Sequence, residues 1–135
     1  MRFVDSNILL YAASRLEELE AKRRVAFDLL HETDSAVSAQ VLQEFYVQAT
    51  RSTRPDRLGE EQAGDLIASF LRFPVQPITV EMVTAAIQTH LKFRISYWDA
   101  AIIEAARLLG CSEVLSEDLA DGQDYDGVLV RNPFV

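Results

Sequence analysis

Apolar and polar positions along this chain switch repeatedly between strand-like runs and helical spacing, and that alternation sketches a fold. Arg2-Phe3-Val4 is an apolar run long enough only for a short strand, and Asp5-Ser6-Asn7 stops it. Asp, Ser and Asn side chains compete for nearby backbone hydrogen bonds, so this triplet predicts a strand-to-helix turn. A helix follows from Ile8 to Ala13. A second is predicted from Glu17 to His31, with Val25, Leu29 and Leu30 inward and Arg23, Arg24 and Asp28 outward. Ser35-Ala36-Val37-Ser38 reads as a strand that ends at a cap, with Ser38 opening a helix from Ala39 to Thr50. Beyond the polar break Arg51-Ser52-Thr53-Arg54-Pro55, a helix runs from Gly59 to Phe70 and Pro74 closes it. Val75 to Ile78 is a third strand. Thr79 caps the next helix, which reaches about Leu91 with Met82, Val83, Ala86, Ile87 and His90 on one side.

Ser96-Tyr97-Trp98-Asp99 has the S-x-x-D form of a capping signal. The helix behind it, Ala100 to Leu109, is apolar nearly all round, which predicts burial, and Gly110 is its natural stop. Glu113-Val114-Leu115 and Val128-Leu129-Val130 complete the strands, on either side of an acidic, glycine-punctuated loop from Leu119 to Asp126. About five short strands alternating with helices predict an α/β fold, a three-layer α/β/α sandwich around a mostly parallel sheet. No repeat or low-complexity linker interrupts the 135 residues, so residues 1–135 are expected to form one domain.

Composition narrows the class. Apolar residues make up 49% and charged residues 25%, the profile of a compact soluble globule. No apolar run approaches the ~20 residues needed to span a bilayer. Asp5 interrupts what an export signal would need to keep apolar, so a cytoplasmic protein without membrane contact is expected. The lone Cys111 excludes an internal disulfide and a Cys-rich zinc site, and reads as a small buried filler. A net charge of −8 argues against a general nucleic-acid coat. It leaves phosphodiester chemistry open, because clustered carboxylates can recruit divalent cations that supply the positive charge.

Active groups in an open parallel sheet gather beyond the carboxyl ends of the strands. Asp5 follows the first strand and Asp118 the fourth, while Glu44 and Asp99 lie on helices near strand ends. Taken singly, each has an ordinary role. Asp5 can satisfy amides in its turn, and Asp99 can complete a capping box at a helix N-terminus. Glu44 borders the stripe Val41, Phe45 and Gln48; Asp118 shares a solvated loop with Glu117, Asp121, Asp124 and Asp126. Asp99, however, opens a helix with almost no polar surface, where an unpaired carboxylate is costly. The loop from Asp121 to Gly127 lacks the acid spacing and closing Glu of an EF-hand, and no P-loop motif occurs. His31 reads as a helix-end cation and His90 as a partly packed face residue. Trp98 reads as a packing residue, with base stacking the alternative. Arg51, Arg54 and Arg57 form one local basic stretch and Lys22, Arg23 and Arg24 another; either can be ordinary solvated charge, and since guanidinium groups suit phosphate the first is the preferred candidate for a phosphate contact.

Taken together, V-D-S-N at the first strand end, a Glu in an Ala/Val/Leu-rich helix, Y-W-D-A and S-E-D occur in a distinctive order. In that order the sequence resembles a PIN domain, and among these the VapC-type ribonuclease toxins of bacterial toxin–antitoxin pairs. The resemblance runs down to Asn132-Pro133-Phe134. It implies that Asp5, Glu44, Asp99 and Asp118 form an acidic quartet supported by Ser6, Asn7 and Ser116. It implies one or two Mg²⁺ or Mn²⁺ ions on Asp5, Asp99 and Asp118, with Glu44 serving a second ion or acting through water. Asp121 could replace or assist Asp118. A metal-activated water would then attack the phosphorus of an RNA substrate. The resemblance also implies a small antitoxin with a DNA-binding end, so that DNA is reached only indirectly.

The early helices carry apolar residues in surplus, among them Ile8, Leu9, Leu10, Tyr11, Val25, Phe27, Leu29 and Leu30. A partner helix, the two helices themselves or a second copy in a homodimer would cover them. Two rival readings stand beside this one. A phospho-accepting receiver-type signalling domain wants paired acids after the first strand and a Lys after the last, where this chain has Ser6-Asn7 and Arg131. A PIN-fold binding module without catalysis has no need of four retained acids.

Overall fold

The computed structural model describes residues 1–32 and 34–135. In chain order the elements are β1 (Arg2–Val4), α1 (Ser6–Ala13), a 3₁₀ turn (Glu17–Leu19) leading into α2 (Glu20–Glu32), β2 (Ser35–Ser38), α3 (Ala39–Ala49) and α4 (Glu60–Phe70). There follow β3 (Val75–Gln76), α5 (Val80–Phe93), α6 (Tyr97–Leu108), β4 (Glu113–Leu115), β5 (Asp124–Tyr125) and β6 (Val128–Arg131). The strands form one six-stranded sheet in the order β3-β2-β1-β4-β6-β5. Every pairing is parallel except β5 with β6. All four residues of β2 are buried, as are Phe3 and Val4 of β1. Successive strand residues point to opposite faces, so both faces of the sheet are covered, as a parallel sheet requires.

The core joins strand residues Phe3, Val37, Val114 and Leu115 to Ile8, Leu9, Val41, Phe45 and Ile103 from the helices. Ala100 to Ala106 of α6 are all buried, as the nearly all-apolar pattern predicts; the one charge among them, Glu104, is paired with Arg107 and accepts the Thr89 hydroxyl. From β1 the chain steps to β2 and β3 on one side, then returns to place β4 on the other. The strand order therefore reverses between β1 and β4, and such a reversal opens a crevice at the carboxyl ends of the strands.

The structure departs from the sequence pattern in places with clear causes. Among the described residues there are six strands rather than five. The extra one, β5, lies inside the acidic loop, where Asp126 and Gly127 adopt positive φ (53° and 97°) and close a two-residue hairpin onto Val128. Asp-Gly is the preferred pair for that turn. The inward stripe of α2 is Ala26 and Leu30, one turn apart, whereas Val25, expected inward, is exposed, as is Phe27. On α5, Met82 and Ala86 face the core, and Ile87 does not. Cys111 is buried, as expected.

Candidate active site at the sheet switch point

Asp5 ends β1 and caps α1. Its Oδ1 accepts the Ser6 N–H at 2.7 Å and its Oδ2 accepts the Ser116 hydroxyl at 2.8 Å, leaving the residue 6% exposed. Ser116 arrives from the end of β4, which pairs with β1 in register. Burial drives the Asp5 carboxyl from its ordinary 3.8 to about 6. The bonds from Ser116 and Ser6 restrain that rise, and the charges of Glu44 and Asp118 add to it.

Asn7 is the second residue of α1 and is buried. Its Nδ2 donates to the Ser116 hydroxyl and to Asp118 Oδ2, each at 3.1 Å, and its Oδ1 accepts the Glu117 N–H at 3.4 Å. The Asp118 N–H in turn donates to Ser116 Oγ at 3.1 Å. Asp5 and Asn7 after β1 and the S-E-D segment after β4 thus lock together across the switch point.

Glu44 reaches the same place from α3. Its Oε2 accepts the Ser6 hydroxyl at 3.1 Å and its Oε1 accepts Gln40 Nε2 at 2.9 Å. That same Nε2 lies 3.3 Å from the Trp98 carbonyl. Gln40 therefore ties Glu44 to the first turn of α6, which carries Asp99. Nothing in the sequence reading singled out Gln40. The available signal was its i, i+4 spacing from Glu44 on one helix face. Ser96 caps α6 by accepting the Asp99 N–H at 3.0 Å. The reciprocal half of the capping box is absent among the described residues: the half-buried Asp99 carboxylate takes no hydrogen bond and no ion pair. Its charge instead raises the Tyr125 phenol, after burial, which is the larger cause.

The remaining acids of the loop are committed elsewhere. Asp121 Oδ1 accepts the Asn132 N–H at 2.8 Å. Glu117 accepts the Tyr11 hydroxyl and pairs with Lys22 Nζ at 2.9 Å, while the Phe134 ring meets Tyr11 edge-on at 5.1 Å. Burial and the Glu117 carboxylate raise the Tyr11 phenol, and the Glu117 bond raises the Lys22 amine.

The contrast within this segment is informative. Glu117 has its cation, whereas among the described residues Asp5, Glu44, Asp99 and Asp118 have none: the first two and Asp118 meet only hydroxyl and amide donors, and Asp99 meets no donor. Uncompensated carboxylate oxygens at a sheet crevice are the donor chemistry of a hard divalent cation. As the side chains stand, no three His, Cys, Asp or Glu among the described residues are grouped as a ready-made metal site. The links run pairwise through Ser6, Asn7, Gln40 and Ser116.

Of the three candidate RNA-contacting arginines, Arg54 pairs with Asp56 at 2.8 Å and Arg57 Nε donates to the Thr50 carbonyl at 2.9 Å, while Arg51 is exposed. Trp98, expected to pack, is 66% exposed and belongs to no core cluster among the described residues. Its place is the outward side of the first turn of α6, and Tyr97 takes the packing position instead.

Solved structures share this architecture. A toxin-antitoxin complex from Klebsiella pneumoniae superposes with a TM-score of 0.68 at 20% identity, covering 98% of each chain. Mycobacterium tuberculosis VapC20, a Sarcin-Ricin loop cleaving toxin, gives 0.67 at 18% identity over 84% of this chain and 87% of its own. VapBC2 from Rickettsia felis, bound to a DNA fragment from its promoter, gives 0.64 at 15% identity over 97% of each. No curated protein matches by sequence. At these identities the likeness is one of fold. The PIN domain family model goes further, matching residues 2–120, a span that takes in β1 through β4 and all four candidate acids. On that match, the chain belongs to the PIN domain family.

Proposed function

We propose that this protein is a metal-dependent endoribonuclease, the toxin of a VapBC-type toxin–antitoxin pair, acting in the cytoplasm as one domain of residues 1–135. The observation that carries the reading is the convergence of Asp5, Glu44 and Asp118 on the switch point without a counter-cation among the described residues. Asp99 follows Trp98, whose backbone carbonyl is held by the Gln40 amide that also holds Glu44. Mg²⁺ or Mn²⁺ held by Asp5, Asp99 and Asp118, with Glu44 serving a second ion or acting through water, would neutralise a phosphodiester and acidify the attacking water. The chain's own residues prepare that place. Ser116 and Asn7 set Asp5 and Asp118 at a fixed spacing, and Ser6 and Gln40 orient Glu44. Asp5, with its carboxyl near 6, releases its remaining proton as positive charge arrives. Asp118 rather than Asp121 serves as the fourth acid, because only Asp118 is bonded into this network.

The partner we propose is a small antitoxin. A cleft of about 610 Å³ lies between α1, α2 and α4, with Ala12, Ala13 and Leu66 beside Arg15, Glu20 and Arg23. The exposed Phe27 stands on α2. An amphipathic helix suits such a surface, and an antitoxin Arg suits the acidic crevice through its planar fork. DNA is reached only through that partner. A homodimer would cover Val80, Ile87 and Leu91, which line the exposed side of α5.

The test is cleavage of a structured RNA in Mg²⁺ or Mn²⁺ by wild type, Asp5→Asn and Asp118→Asn, with EDTA as control. The expected result is a loss of at least about 100-fold in each variant, with far-UV circular dichroism unchanged. Cleavage that survives EDTA, or an undiminished variant, refutes the mechanism.

A further inference from the structure

Trp98 has an arrangement that packing does not explain. Its indole is 66% exposed, yet its surroundings are fixed. The preceding ring, Tyr97, packs on Ala86, Ala100 and Ala101 and meets the indole edge-on at 5.1 Å and 81°. Its carbonyl is held by Gln40, the same amide that orients Glu44. Along the chain it is the immediate neighbour of Asp99, an axial step of about 1.5 Å on the helix. A large aromatic side chain is thus presented to solvent on the first turn of α6, where its own backbone carbonyl shares the Gln40 amide with the candidate catalytic Glu44. Leaving an indole in water forfeits the stabilisation that burial would bring.

The electrostatics of the site supply a reason. Around the acids the described residues offer no paired cation, and Arg54 and Arg57 are committed to their own loop. A polyanion approaching this crevice is repelled until positive charge arrives. Stacking on a π-face is insensitive to that charge and tolerates any base. We propose that Trp98 is a base-stacking platform that anchors a single-stranded nucleotide of the RNA substrate beside the carboxylates. This rests on the endoribonuclease reading and adds to it a substrate-binding residue that is not one of the acids.

Trp98 is the only tryptophan in the chain, so its emission reports on this position alone. Wild-type protein in EDTA is titrated with a single-stranded oligoribonucleotide, and in parallel with an abasic sugar-phosphate strand of the same length. The oligoribonucleotide should quench the emission and the abasic strand should not. By anisotropy of a labelled strand, Trp98→Ala should bind about 5- to 100-fold more weakly, and Trp98→Phe should recover most of the affinity. In the metal-dependent cleavage assay the loss should fall on KM. Equal quenching by the abasic strand, or Trp98→Ala binding and cleaving like wild type, overturns the platform while leaving the nuclease reading intact. Base-dependent quenching by a protein that cleaves no RNA in Mg²⁺ or Mn²⁺ supports the platform and sinks the nuclease reading. An emission shift that follows protein concentration without RNA shows that a second copy covers the indole, and overturns the proposal.

Discussion

Replacing Asp5 by Asn tests the electrostatic core of the site without any substrate. Burial and the charges of Glu44 and Asp118 place the Asp5 carboxyl at about 6 in the folded protein against an ordinary 3.8. The folded state therefore binds this proton more tightly than the unfolded chain does. Stability must fall as pH rises from about 4 to about 6, and level off above that. The difference corresponds to about 3 kcal/mol by pH 7, at 1.36 kcal/mol per tenfold change in proton affinity. Asn keeps the size of the side chain and the bond from Ser6, and carries no charge. Any fixed cost of the swap, such as a reorganised bond to Ser116, is the same at every pH. The stability of Asp5→Asn relative to wild type should therefore improve by up to about 3 kcal/mol between pH 4 and pH 7. For a chain of this size that is roughly 10 °C in Tm. Urea denaturation of both proteins in EDTA across this range is the assay. Added Mg²⁺ at pH 7 should shrink the gap, because an ion that binds the native carboxylates stabilises wild type more. A gap that is the same at pH 4 and pH 7 refutes the buried, crowded carboxylate, whatever its absolute size.

Asp118→Ala should abolish RNA cleavage while Asp121→Ala retains it, since Asp121 is bonded to the Asn132 backbone; parallel cleavage assays decide. Gln40→Ala should lower metal-dependent cleavage by about 10- to 100-fold with little change in Tm, because it frees Glu44 and the Trp98 carbonyl without opening the core. Gly127→Ala should destabilise the protein by about 1–2 kcal/mol in urea, because φ is 97° there and no neighbouring atom crowds the added methyl, so backbone strain alone acts. Tyr11→Phe should cost about 1 kcal/mol of stability through the lost Glu117 bond, and an unchanged denaturation midpoint would count against that bond.

Local chemistry was legible wherever one segment contains both the cause and the effect. Ser38, Thr79 and Ser96 cap the helices they precede because their hydroxyls reach an amide three residues on. The middle of α6, Ala100 to Ala106, is buried because its residues are apolar nearly all round. The short strands β1, β2 and β4 lie where hydrophobic runs of three or four residues put them. The strand β5 was missed although Asp126-Gly127 announced its turn. Two residues in an acidic loop carry no periodicity, and pairing with β6 decides the matter.

Tertiary structure decided the rest. Nothing local distinguishes Asp118 from Asp121, or either from Glu117. Only the parallel pairing of β4 with β1 sets Ser116 against Asp5 and brings Asn7 onto Asp118, while Lys22 claims Glu117 and Asn132 claims Asp121. Helical periodicity placed Val25 inward on α2 and could not see that α1 packs on Ala26 and Leu30. Trp98 looked like core by residue type, until the approach of α3 and α5 gave the packing to Tyr97 and left the indole in water. The sequence by itself determined the elements, the polar punctuation at strand ends and the presence of four acids in order, since each depends on neighbours a few residues away. Which acids meet, which keep a counter-charge and which aromatic faces solvent depend on contacts between residues about 40 to 110 positions apart, and only the folded chain brings those together.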